Sequence, residues 1–188
     1  AGALFAGFCV ALDGDTAVVG SPFAPVVGSS TGAVYVYQRS GTTWTFSQQI
    51  TDSSLGPLEY FGNSVAIDAG TLLIGARADD GIVSTTGTAT VYTRIGSAWF
   101  FQQKLMAADG AFIDNFGWSV WVDGDAALVG ARSDDDQGTD SGSVYVFRRT
   151  GSSWTEETKL TASDGQASDF FGWSVARDGG LQLVGANR

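Results

Sequence analysis

The side chains able to do chemistry in this chain are nearly all carboxylates. Twenty Asp and Glu stand against ten Lys and Arg, histidine is absent, and cysteine occurs once, as Cys9. Without imidazole, the commonest general base, the Ser-His-Asp arrangement and imidazole metal ligation all fall away. One thiol makes neither an intrachain disulfide nor a structural zinc site. Hydrolysis by two carboxylates is the enzymatic alternative left open. The acids, however, recur in turns at a fixed spacing, and the expectation is a protein that is not an enzyme.

The densest acidic run is Asp134-Asp135-Asp136-Gln137-Gly138-Thr139-Asp140. Oxygens from Asp134, Asp136 and Asp140, meeting across a glycine turn, suit the hard oxygen-rich shell of a calcium ion. A solvated acidic loop is the competing reading, and calcium is the one cofactor the sequence raises. Trp44, Trp99 and Trp154 each follow a short polar turn. Indoles so placed either stack on sugars or pack between layers, and their regular register favours packing. Trp118, Trp121 and Trp173 belong to a different strand position. Strand alternation sets Trp118 on the face of Val120 and Val122, with Trp121 opposite.

A repeat positions these residues. Trp44, Trp99 and Trp154 lie 55 apart, and the same step joins Gly7, Gly62, Gly117 and Gly172. It also joins Gly20, Gly75, Gly130 and Gly185, with no insertion between them. Each unit reads as four strands. In the third, strand a is Phe116 to Val122, b is Ala126 to Ala131, c is Gly142 to Arg149, and d is Trp154 to Thr161. Asp123-Gly124 supplies the a–b hairpin turn, since glycine accepts positive φ. The apolar opening residues overlay on Phe61 to Ala66 as strand a of the first unit, not as a targeting segment. Cys9 holds the place of Ser64, Ser119 and Ser174 as a small buried side chain. The fold class is therefore all-β, one segment over residues 1–188. It consists of β-propeller blades of four antiparallel strands, with repeats 1–55, 56–110, 111–165 and a partial 166–188, about 3.4 blades.

The paired elements Phe61-Gly62 with Gly75-Ala76, Phe116-Gly117 with Gly130-Ala131, and Phe171-Gly172 with Gly185-Ala186 resemble the FG-GAP repeat. That is the blade unit of the integrin α-subunit propeller. The strand c segment Gly142 to Phe147 is similar to the same family. The resemblance implies a binding or adhesion module at the cell surface or outside the cell, with a protein or glycan as partner. Two alternatives from other classes accompany it: a structural subunit of a fibre or large complex, and a propeller appended to a secreted enzyme. The family's proline survives only as Pro22, replaced by Arg77, Arg132 and Asn187 in the other units. The a–b turns, such as Asp68-Ala69-Gly70, are too short to wrap the calcium ion that other members hold there.

In such a propeller the b–c and d–a loops share one face, which is where binding usually resides. Twelve of the twenty acids fall on it. The expected partner-binding residues are Asp79, Asp80, Arg77, Arg132, Asp135, Asp109, Asp114, Asp164 and Asp169. The net charge of −10 repels phosphate backbones, so no nucleic-acid partner is expected. No apolar run is long enough to span a bilayer, so direct membrane insertion is not expected either. An open stack of blades exposes apolar faces, so further blades from the same longer chain or from other chains are expected to cover them.

Overall fold

The computed structural model describes residues 7–26, 31–81 and 84–188, and among these no helix occurs. The first sheet holds β1 (Cys9–Asp13), β2 (Thr16–Ser21), β3 (Ala33–Ser40) and β4 (Thr43–Ile50). The second holds β5 (Phe61–Asp68), β6 (Thr71–Ala76), β7 (Thr88–Ile95) and β8 (Ala98–Leu105). The third holds β9 (Phe116–Asp123), β10 (Ala126–Ala131), β11 (Ser143–Thr150) and β12 (Ser153–Leu160). A final hairpin pairs β13 (Ser174–Asp178) with β14 (Leu181–Gly185). Strands adjacent in sequence pair antiparallel in every sheet. The four strands read from the sequence for the third unit agree with β9 to β12 to within one residue at each end. Gly142, read as the start of strand c, instead bridges to Phe171 of the following unit. The start of the first repeat's strand, Ala6 included, lies outside the described residues.

The second strand of each four-stranded sheet is the most buried. Every residue of β6 and of β10 is buried. Alternate side chains serve opposite layers: Leu72 and Ile74 join Val18, Val34 and Val36 of the first sheet, while Leu73 joins Ala127 and Val129 of the third. A strand covered on both faces needs a continuous apolar run, which is why Leu-Leu-Ile and Ala-Leu-Val occur there without alternation. First strands of consecutive sheets pack closely, whereas fourth strands touch only sparsely. The sheets therefore fan, as propeller blades do. Each third–fourth strand pair carries one irregularity at the same place, between Val36 and Tyr37, Val91 and Tyr92, and Val146 and Phe147. Bulges of this kind increase twist in the outer strand.

Backbone joins one sheet to the next. Phe61, Phe116 and Phe171 form parallel bridges with Gly32, Gly87 and Gly142 of the preceding sheets. Their amides donate to the carbonyls of Thr31, Thr86 and Ser141 at 3.0, 2.9 and 2.9 Å. Gly62, Gly117 and Gly172 follow with φ of 83°, 85° and 92°, a region closed to most side chains. Their carbonyls press on Gly20, Gly75 and Gly130, where any Cβ would overlap that oxygen. The Ser64 and Ser119 hydroxyls donate to the carbonyls of Gly117 and Gly172, both at 2.8 Å. The Cys9 thiol takes the same place, 3.3 Å from the Gly62 carbonyl. Burial pushes its pKa up to about 12, so it acts as a packed donor and not as a nucleophile.

The indole at the start of each fourth strand follows the same logic. Gln48 exchanges two hydrogen bonds with the Trp99 backbone, at 2.9 and 2.8 Å, and Gln103 does the same with Trp154 at 2.7 and 2.9 Å. Trp99 and Trp154 are 3% and 2% exposed, whereas Trp44, which packs against no earlier sheet among the described residues, is 41% exposed. Trp99 and Trp154 thus pack between blades.

The joint makes a prediction about two glycines. Gly130→Ala, which drives a methyl into the Gly172 carbonyl, should destabilise by about 3 kcal/mol or more. Gly151→Ala, at φ of 63° but with open space around it, should cost only about 1 kcal/mol. Urea denaturation of the two variants checks the ordering.

Candidate functional site

The loop face carries two kinds of charged cluster, and the first is closed. Lys159, on β12, places its ammonium 2.8 Å from Asp109, 2.7 Å from Asp134 and 2.6 Å from Asp136. The Tyr145 hydroxyl bridges two of these carboxylates, 2.7 Å from Asp109 and 2.9 Å from Asp134. Burial opposes the Lys159 charge, but hydrogen bonds to the three aspartates outweigh it and hold the pKa above the ordinary lysine value. Lys104 repeats the arrangement one sheet earlier, 2.7 Å from Asp79 and 3.4 Å from Asp52, while Thr88 donates to Asp79 at 2.6 Å.

This geometry bears directly on the calcium reading. Asp134 and Asp136 do converge on a cation, but the cation is Lys159. Asp140 stands apart: its amide donates to Asp135 at 2.7 Å, closing the loop on itself. Among the described residues, no group of three or more His, Cys, Asp or Glu has metal-holding geometry. An ammonium already seated between carboxylates leaves a divalent ion neither the space nor the negative charge it needs. The residues therefore do not fit calcium.

The remaining acids mostly tie loops. Asp80 and Asp135 accept from the amides of Thr85 and Asp140, five residues on, at 2.8 and 2.7 Å. Glu59, Asp114 and Asp169 accept from the amides of Gly56, Ala111 and Gln166, three residues back, at 2.7, 2.6 and 2.9 Å. Asp169 also pairs with Arg188. Asp114 is the most perturbed: burial, opposed by its Ala111 bond and reinforced by the charge of Asp134, pushes its pKa up to about 6. Asp80, Asp135 and Asp164 project into solvent. On the opposite face, Asp13 and Asp68 accept from the amides of Ala69 and Gly124 in the next unit's turn, at 3.0 and 2.8 Å. The short a–b turns thus serve the blade joint.

The second cluster contains no ion pair among the described residues. Arg77 and Arg132 follow the Gly-Ala that ends β6 and β10. The Arg77 guanidinium lies 4.0 Å from the Tyr60 ring centre and 5.2 Å from that of Trp118. Arg132 lies 3.6 Å from Trp118, 4.9 Å from Trp173 and 5.4 Å from Phe170. Trp118 and Trp173 are 5.1 Å apart, so the ladder runs unbroken across three units. Alternation had assigned Trp118 to the Val120 face. β9 shifts register between its pairings with Gly130 and Ala131, so Gly117 and Trp118 have no partner on β10, and the Trp118 ring meets Arg77, Arg132 and Trp173. Trp121 packs as alternation requires, against the cluster of Leu128, Val144 and Val146.

Sequence reasoning located Arg77 and Arg132 but missed Lys104, Lys159 and the rings around the arginines. The lysine signal was present in the repeat. Asp79 with Lys104 recurs as Asp134 with Lys159, while the first unit has Ala24 and Gln49 at both places. The two residues are kept or absent together, as partners would be.

The sequence model for the FG-GAP repeat matches residues 2–37, 44–92, 99–147 and 154–188. The last three begin at the 55-residue step, each at the start of a fourth strand, and the two middle ones run on into the following sheet's third strand. They therefore straddle each blade joint. No curated protein matches the chain.

Three outcomes are expected. Millimolar calcium should leave the melting temperature unchanged, as scanning calorimetry with and without chelator will show. Lys159→Met strands Asp134 in a buried site and should cost about 2–3 kcal/mol, read from denaturant midpoints. Asp114 holds its proton to a higher pH in the folded than in the unfolded chain, so its ionisation opposes folding. Stability from this residue is present below pH 4 and is lost as pH rises toward 6. Asp114→Asn should therefore gain stability relative to the parent between those limits, measured as the difference of two pH–stability curves.

Proposed function

The chain belongs to the FG-GAP repeat family, and from that premise we propose a non-catalytic binding module that engages a protein or glycan through its loop face. The supporting observation is a division of labour among the charges on that face. Asp79, Asp109, Asp134 and Asp136 are held by Lys104 and Lys159, and so serve the scaffold. Asp80, Asp135 and Asp164 face solvent without an ion pair among the described residues. Loops held rigidly by internal ion pairs, with unpaired acids at their tips, present a fixed pattern of charge to a partner. The family resemblance supports a location at the cell surface or outside the cell.

A second reading has its own observation. The faces that the joint would cover are apolar at both ends of the stack: Val10 is 70% exposed and Phe46 58%, with Leu181 81% and Leu183 75% at the far end. Further blades, from a longer chain or from other copies, would bury them by the same joint. Sedimentation velocity distinguishes the two cases, since self-association through these faces would grow with concentration.

The binding reading is tested by neutralising the free acids while keeping their loop bonds. Asp80→Asn with Asp135→Asn and Asp164→Asn should weaken partner capture on glycan and purified-protein arrays by about tenfold or more, with an unchanged melting curve. Binding in the parent should also weaken with salt. Salt-insensitive capture that survives the triple change would sink the proposal.

A further inference from the structure

Arg77 and Arg132 have no structural counterpart to their charge. The chain contains ten Lys and Arg. Arg39, Lys104, Arg148, Arg149, Lys159 and Arg188 each pair with a carboxylate. Arg94 and Arg177 donate to backbone carbonyls of their own turns. Only Arg77 and Arg132 make neither an ion pair nor a hydrogen bond among the described residues, and the Nε of each is buried without a partner. In a chain of net charge −10, two guanidinium groups left without a carboxylate are not explained by scarcity of acids.

Their surroundings make the omission sharper. Each positive charge is partly desolvated, which lowers both pKa values, and Arg77 further depresses Arg132 by like-charge repulsion. The only carboxylate with a resolved effect on either is Asp140, on Arg132. Ring faces hold both groups in place, with Trp118 shared between them. A guanidinium stacked on a ring keeps its N–H groups in its own plane, free for an oxyanion. The repeat places this pair only in the second and third units, since Pro22 and Asn187 stand at the equivalent positions.

Resting on the binding-module reading, we infer that the Arg77–Arg132 ladder is the anion-recognition centre of the loop face, and that it takes a single carboxylate from a protein partner. The rim selects the class of ligand. Asp80 and Asp135 are exposed on the loops that follow these arginines, so a polyanion such as a sulfated glycan meets repulsion around the centre. An acidic side chain flanked by basic ones meets attraction at both places. A planar fork against a carboxylate adds direction that a point charge would not.

The test uses the peptide acetyl-Lys-Gly-Glu-Gly-Lys-amide, its Gln analogue and a heparin-derived hexasaccharide, followed by tryptophan fluorescence of the whole chain. The Glu peptide should give a saturable change, with the Gln analogue and the hexasaccharide each about tenfold weaker or more. Arg77→Gln with Arg132→Gln should abolish the response. Should that pair fail to fold, Arg77→Lys with Arg132→Lys keeps the charge, and it should bind several-fold more weakly because the fork is gone. Equal binding of the Gln analogue, tighter binding of the hexasaccharide, no saturable response, or full binding by the Lys variant would each overturn the inference. Partner capture that fails after neutralising Asp80, Asp135 and Asp164 but survives the arginine changes would overturn this inference alone and leave the loop-face reading standing.

Discussion

A backbone-on-backbone contact between neighbouring sheets governs this molecule. The carbonyls of Gly62, Gly117 and Gly172 sit where Gly20, Gly75 and Gly130 would otherwise carry side chains. The preceding phenylalanines bond to the start of the previous sheet's third strand. The contact is made at the first strands, so it sets how closely the sheets approach at their inner edge. The outer strands, widened by one bulge each, are left to splay. Close approach inside and separation outside is what turns a stack into a fan. The buried Phe61 and Phe116, and the serines that donate across the joint, depend on that spacing.

The joint also explains how so acidic a chain folds. Carboxylates are carried where something compensates them: a lysine from the fourth strand, an amide three residues back, or the amide of the next turn. Lys104 and Lys159 reach from outer strands to the loop after their own sheet's second strand, through Asp79 and Asp134, and to the loop that leaves the preceding sheet, through Asp52 and Asp109. A buried pair of this kind adds little over an apolar one, but losing one partner is costly. That asymmetry accounts for Ala24 and Gln49 standing together in the first unit, where neither charge is present.

Against this background the arginine ladder is the exception. It occupies the inner edge of the loop face, where strand b ends and the next sheet's strand a begins. Trp118 and Trp173, next to the glycines of the joint, lie at that edge with their ring centres 5.1 Å apart. Rings and guanidinium groups from successive units interleave, so the ladder is a product of the fan itself. A separate blade would hold one arginine without the ring that follows it.

Much of this was determined by the sequence alone. The 55-residue step, the four strands per unit, their bounds in the third unit and the packing role of Trp99 and Trp154 all follow from local pattern, because period and turn chemistry are properties of contiguous residues. The acidic loop was visible too, but its meaning was not. Whether Asp134 and Asp136 await a metal or already hold an ammonium depends on Lys159, 25 and 23 residues away in sequence, which only the curl of the sheet brings within 2.7 and 2.6 Å. Trp118 shows the same limit from the other side: alternation assigns it to a strand face, and only the packing of successive sheets brings it to Arg77, Arg132 and Trp173. Tertiary structure decided which charges are spent within the scaffold and which remain, because that depends on distances across strands and sheets that no spacing along the chain encodes.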